Sequence, residues 1–151
     1  MHFKKTFLVF PIFLLTGCHN IEMIDFKKMK VNTKPNNYLV CPQYYCNITP
    51  NAIAKSYPVN VNKLQTAWQN MVTQEPRVRL VESVPAEHKY QYVQYSRVFH
   101  FPDYIDVQFI PITETSSTLA VYSRARYGYY DFHVNENRVK KWLAALTDYF
   151  K

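Results

Sequence analysis

The sequence predicts a small α+β domain of two layers, a four-stranded antiparallel sheet with an N-terminal and a C-terminal helix packed on one face. Two apolar stripes at helical spacing, near residues 60–74 and 136–150, bracket four apolar runs that alternate with a period of two. The links between the runs are short and hold Pro85, Pro102 or Thr115-Ser116-Ser117, as in a meander. Each run is apolar on one side, so one sheet face needs a cover, and two singly striped helices supply it.

Residues 1–17 stand apart from that domain. Lys4 and Lys5 precede an apolar run from Phe7 to Leu15, which closes on Leu15-Thr16-Gly17-Cys18. The run falls short of the roughly 20 residues that span a bilayer. With small residues at Thr16 and Gly17 it reads as the cleaved signal of a bacterial lipoprotein. Cys18 is then expected to begin the mature chain and to carry the lipid, palmitate included. His19, rather than an Asp, follows it, which directs the expectation to the outer membrane, facing the periplasm. Residues 18–37 read as a lipidated tether with a reach of roughly 25 Å. Its Lys27, Lys28, Lys30 and Lys34 suit either a merely solvated linker or contact with anionic headgroups, the latter at about 1 kcal/mol each near a charged surface.

Removing the leader leaves 134 residues, one domain's worth, with sixteen basic side chains against eleven acids. So modest an excess suits anionic envelope components and lacks the concentrated footprint of a nucleic-acid binder. Thirteen Tyr and ten Phe make the core, and part of the surface, aromatic. Glycine is scarce, two in the whole chain, so Gly128 marks a place where the backbone needs it. Once Cys18 is lipidated, Cys41 and Cys46 form an even pair in an oxidising compartment, and a disulfide is expected. A metal site would need more ligands, and redox pairs commonly use a two-residue spacer.

Residues 38–58 read as an irregular, Tyr- and Pro-containing lead. In the first helix Leu64, Trp68, Met71 and Val72 share one face, Asn60 or Asn62 caps it, and Pro76 ends it. The four strands are expected at 77–84, 90–101, 104–112 and 118–126. In the third, Ile105, Val107 and Phe109 face one way and Asp106 the other. In the fourth, Leu119, Val121, Ser123 and Ala125 oppose Tyr122, Arg124 and Arg126. The last helix, with Asn135 as its expected N-cap, carries Val139, Trp142, Leu143, Leu146 and Phe150 at helical spacing.

From Val121 to Val139 the chain reads VYSRARYGYYDFHVNENRV. Ser123, Arg126, Gly128, Asp131, Asn135 and Arg138 fall in register with the pattern Arg-Ser-x-Ser-Arg-x-Gly-x-x-Asp followed by Gly-x-Asn-x-x-Arg. The stretch therefore resembles the domain-of-unknown-function 1499 family. Phe101-Pro102-Asp103-Tyr104-Ile105-Asp106, Cys41-Pro42 with Cys46, and Trp68 with Pro76-Arg77 resemble further motifs of that family. The resemblance spans about residues 38–150, so a single domain is expected over 38–151. It departs at Tyr122, Ala125, Tyr104 and His133, where the family favours an Arg, a Ser, an acid and a Gly. The resemblance implies a fold and no established activity.

Read physically, these six residues build a strand–turn–helix hinge. Gly128 takes a positive φ, Asp131 bonds backbone amides or pairs with Arg126, and Arg138 reaches back to Asp131 or Asp106. Ser123, Asp131 and His133 invite a hydrolase, but Ser123 lacks a nucleophile-elbow context. The five histidines lack metal-ligand spacing, and no cofactor motif appears. The leading expectation is a non-catalytic, periplasm-facing lipoprotein that binds or scaffolds an envelope protein or anionic component. The runner-up is an anionic small-molecule site, weakly hydrolytic at most, around Arg126, Asp131 and Arg138. A closed network in which each arginine has a protein partner favours the first; an open site favours the second.

Overall fold

A computed structural model describes residues 21–151. The expected leader and Cys18 lie outside the described residues.

The order of elements is β1 (Asn37–Cys41), β2 (Ala52–Ile53), α1 (Val61–Val72), β3 (Val78–Val84), β4 (Lys89–Tyr95), β5 (Pro102–Pro111), β6 (Ser117–Ala125) and α2 (Val134–Tyr149), with a single 3-10 turn at Pro85–Glu87. They form one six-stranded sheet in the order β2-β1-β6-β5-β4-β3. The expected four-strand meander is its β3–β6 portion, antiparallel throughout. The expectation of four strands is corrected to six, and of an antiparallel sheet to a mixed one. β1 pairs antiparallel with β6, and β2 runs parallel to β1. β1 escapes a period-two reading because Tyr38 to Cys41 are all buried, so the strand shows no alternation. The second expected strand stops at Tyr95, since residues 96–101 fold into a loop closed by Ser96, whose amide donates to the Phe101 carbonyl (2.9 Å) and whose hydroxyl accepts from the Phe101 amide (3.0 Å).

Both helices cover one face. Asn60 caps α1 as expected, its side chain accepting from the Lys63 amide at 2.8 Å. Leu64, Trp68 and Val72 of α1 meet Val139, Trp142 and Leu146 of α2 over Ile105, Val107, Phe109, Leu119 and Val121. Trp68 is the pivot, edge-on to both Trp142 (5.7 Å) and Phe109 (6.2 Å).

The opposite face carries a second cluster, and here the expected tether is corrected. Phe26 and Met29 are buried against Leu39, Cys41, Ala120 and Tyr122, with Ile24, Tyr45 and Ile48 around them. Asn47 holds this strap by a reciprocal pair of bonds to Met29, accepting from its amide (2.8 Å) and donating to its carbonyl (2.9 Å). Residues 24–36 are therefore part of the domain. The reason is in their composition: Ile24, Phe26 and Met29 supply apolar surface that a solvated linker lacks. Cys41 and Cys46 are joined as a disulfide, which fixes the loop that carries Asn47.

Candidate functional site

β4, β5 and β6 each turn one polar side chain toward the helices near the same end of the sheet. Gln94 stands opposite Asp103, and Asp103 lies beside the strand that carries Ser123. Arg138, one turn into α2, descends onto this row. Its Nε donates to Gln94 Oε1 (2.6 Å), its Nη2 to Asp103 Oδ2 (2.6 Å), and its Nη1 to Ser123 Oγ (2.9 Å) and Asn135 Oδ1 (2.6 Å). Ser123 Oγ donates to Asn135 Oδ1 at 2.6 Å. Asn135 Nδ2 donates to the Asn36 carbonyl (3.1 Å) and to Asp131 Oδ2 (2.6 Å). The ring thus ties β4, β5 and β6 to α2 and to the end of the strap. Ser123 and Asn135 are fully buried and Arg138 is 9% exposed. Burial pushes the Asp103 carboxyl above its ordinary pKa, outweighing the opposite pull of Arg138.

Gly128 and Asp131 take the roles expected of them at this corner, whereas Asn135 and Arg138 take others. Gly128 has φ +84°, as the hinge reading requires, and its carbonyl accepts from Asn36 Nδ2 at 2.8 Å. Asn135 is not the N-cap. α2 begins one residue earlier, and the Asp131 carboxylate accepts from the Asn135 amide at 2.9 Å, capping the helix from outside. Arg138 pairs with Asp103 rather than with Asp131 or Asp106. Asp106 points to the other sheet face, where it pairs with Arg124 and accepts from Gln91 Nε2 (2.8 Å) and the Ile24 amide (3.3 Å). Arg126 Nη1 donates to the Tyr104 hydroxyl (3.3 Å), and its guanidinium sits over the Tyr127 ring.

The hydrolase constellation does not assemble. The Ser123 hydroxyl is engaged by Asn135 and Arg138, while His133 is exposed and turned elsewhere. His133 Nε2 meets the Tyr130 hydroxyl (2.9 Å), and its Nδ1 meets Glu136 Oε2 (2.9 Å). Glu136 also accepts from Lys140 Nζ (2.6 Å), and the hydrogen bonds from Lys140 and His133 hold its carboxyl below the ordinary range. This exposed chain of four residues escaped the sequence reading, although the spacing of 130, 133, 136 and 140 is one face of a helical start. His133 has φ +62°, which accounts for a glycine being favoured there in the resembling family.

His133, Glu136 and Lys140 also line a polar groove of about 920 Å³ between the strap, β1 and the start of α2, with Asn32, Lys34 and Tyr38 on the far wall. Among the described residues, no group of three or more His, Cys, Asp or Glu side chains is placed to hold a metal. None of the described helices is long and apolar enough to cross a membrane.

The architecture defines a two-layer α+β domain whose last strand and last helix are locked by a buried arginine ring. The sequence model of the family described as "Protein of unknown function (DUF1499)" matches residues 27–146, and the chain belongs to that family. The match begins inside the strap, consistent with the strap being part of the fold. No curated protein matches the chain.

Proposed function

We propose that this protein is a lipid-anchored, non-catalytic module of the bacterial cell envelope, held in the outer membrane through Cys18 and facing the periplasm. In this reading it binds or scaffolds an envelope protein or anionic component. The observation that carries the non-catalytic part is the closure of the Arg138 ring. Each of the three guanidinium nitrogens donates to a protein acceptor, so Arg138 has little left to offer an anion. The competing reading, an anionic ligand gripped by Arg126, Asp131 and Arg138, loses its central cation. It also loses Asp131, whose carboxylate is taken up by Asn135. The anchor rests on the leader pattern of residues 1–18.

Two measurements test this. The mature protein from bacterial membranes should begin at Cys18 and carry a diacylglyceryl mass, and a Cys18→Ser variant should lose palmitate label. An unmodified Cys18 would remove the anchor. Separately, Arg138→Met should lower the melting temperature together with any cellular phenotype. A variant with the wild-type melt and a lost phenotype would restore the ligand-site reading.

A further inference from the structure

The end of the sheet above the arginine ring carries an unusual surface. The β4–β5 loop (96–101) and the β6–α2 loop (126–133) leave the sheet side by side, since Pro102 accepts from the Arg126 amide at 3.1 Å. Half of the large exposed hydrophobic side chains among the described residues sit on these two loops. Val98, Phe99, Phe101, Tyr127, Tyr129 and Phe132 are each more than half exposed, Phe132 at 80%. Three of them are in mutual contact, and Phe132 meets the edge of Tyr130 at 5.2 Å. Phe99 stacks on Phe101 at 5.5 Å, and Phe101 meets the edge of Tyr127 at 5.9 Å. Isolated exposed apolar residues are ordinary, but a contiguous group on one end marks an interaction surface.

The backbone presents the group outward at a conformational cost. His100 and Phe132 both have φ +54°, and His133 follows at +62°, all without glycine. Such residues persist where the surroundings fix them, and here the arginine ring and the Asp131 cap lie directly beneath.

We propose that this aromatic rim is a membrane-contact surface that inserts into the interface of an anionic bilayer. Three observations select lipid over a protein partner. Tyr suits the headgroup boundary, where its apolar body and polar tip are both satisfied, and Phe suits the acyl boundary just below it. The charge is complementary: Arg97 and Arg126 flank the aromatics, and the single carboxylate in either loop, Asp131, is turned inward onto Asn135. The third is reach. Ile24 bonds Asp106, four residues along β5 from the rim, a distance of roughly 13 Å at strand spacing. Ile24 lies six residue steps from Cys18, and six steps span at most about 20 Å. A lipid on Cys18 and the rim therefore fit one bilayer plane. The strap sets the domain against the membrane instead of holding it at the end of a leash. This last argument rests on the anchor proposed above; the rim itself does not.

The test uses the full chain, processed and purified from bacterial membranes, as Phe99→Trp, Phe132→Trp and Tyr149→Trp variants. Tyr149 is exposed and lies at the far end of α2, about 22 Å from the helix start. The native Trp68 and Trp142 are buried and supply a constant background. Each variant is mixed with vesicles of phosphatidylethanolamine and phosphatidylglycerol carrying brominated acyl chains, and intact mass reports whether Cys18 is lipidated. The expected result is about twofold loss of the added emission at positions 99 and 132, with little at 149. Lipidated protein with no more quenching at 99 and 132 than at 149 would overturn the rim while leaving the anchor standing. Quenching at 99 and 132 in protein without lipid would support the rim and remove the anchor. A concentration-dependent blue shift at position 132 without vesicles would assign the surface to a second copy of the chain and overturn the proposal.

Discussion

Asn135 carries more energy at the hinge than the helix cap it was expected to be. As a simple cap its loss would cost about 1 kcal/mol. It is instead the buried hub that bonds Ser123, Arg138, Asp131 and the Asn36 carbonyl. Asn135→Ala strands several buried polar groups at once and is expected to cost about 3 kcal/mol or more. Asp131→Ala removes the external cap, leaves Arg138 on Asp103, and should cost about 1 kcal/mol. Urea unfolding of the two variants reads the order directly, and the reverse order would contradict the hub role. Arg138→Met carries a pH signature. Burial already raises the Asp103 carboxyl, and removing Arg138 deletes the charge that opposes that rise. A carboxyl whose folded pKa lies above its unfolded value binds more protons when folded. Stability then falls as pH rises through the interval between the two values. The penalty should therefore be greatest near pH 8, about 3–5 kcal/mol, and smallest near pH 4. A penalty that grew on acidification would show that Asp103 is not the stranded partner. Much of this was legible: the hinge residues and the positive φ at Gly128 follow from the motif. The pairing of Arg138 was not, because a third strand beginning at Tyr104 leaves Asp103 outside it. Starting it at Pro102 puts Asp103 on the face of Ile105 and Val107, and the same parity already sends Asp106 to the other side.

At the level of elements, amphipathic stripes were legible and uniformly buried segments were not. α1 and α2 each show one apolar face, and their sequence boundaries fall within two residues of the observed ones. β1 is flanked by β2 and β6 and covered on both sides, so its Tyr-Leu-Val-Cys run carries no period to read. The strap escaped for a related reason. It has no regular secondary structure, and its four lysines dominate its composition while Phe26 and Met29 carry its energy. Phe26 is 1% exposed, so Phe26→Ala removes a filled core position and is expected to cost about 3–5 kcal/mol. On a solvated tether the same substitution would change stability by less than about 0.5 kcal/mol. Equilibrium unfolding of the variant separates the two by a wide margin.

For the whole molecule, the decisive quantity is where the folding unit begins. A domain starting at residue 38 would keep both helices and the main core, and the sequence alone supports that boundary. The structure places a second cluster on the other face, with Leu39, Cys41, Ala120 and Tyr122 covered by Phe26 and Met29. Beneath the strap also lies the Asp106–Arg124 pair, with Asp106 buried and bonded to the Ile24 amide. Cutting the chain at 38 exposes that apolar patch to water, at about 25 cal/mol for each Å². It also removes Asn36, whose side chain holds the Gly128 carbonyl and whose backbone carbonyl accepts from Asn135 and from the Ala125 amide. The loss thus reaches both faces of the sheet and the arginine ring at its end. A chain of residues 21–151 is expected to unfold in one cooperative transition. A chain of residues 38–151 is expected to melt at least about 10 °C lower, as a loss of several kcal/mol implies for a domain this size, and to bind a hydrophobic dye before it melts. Equal melting temperatures for the two would return the strap to the status of a tether and, with it, remove the basis for the proposed close seating of the domain on a membrane.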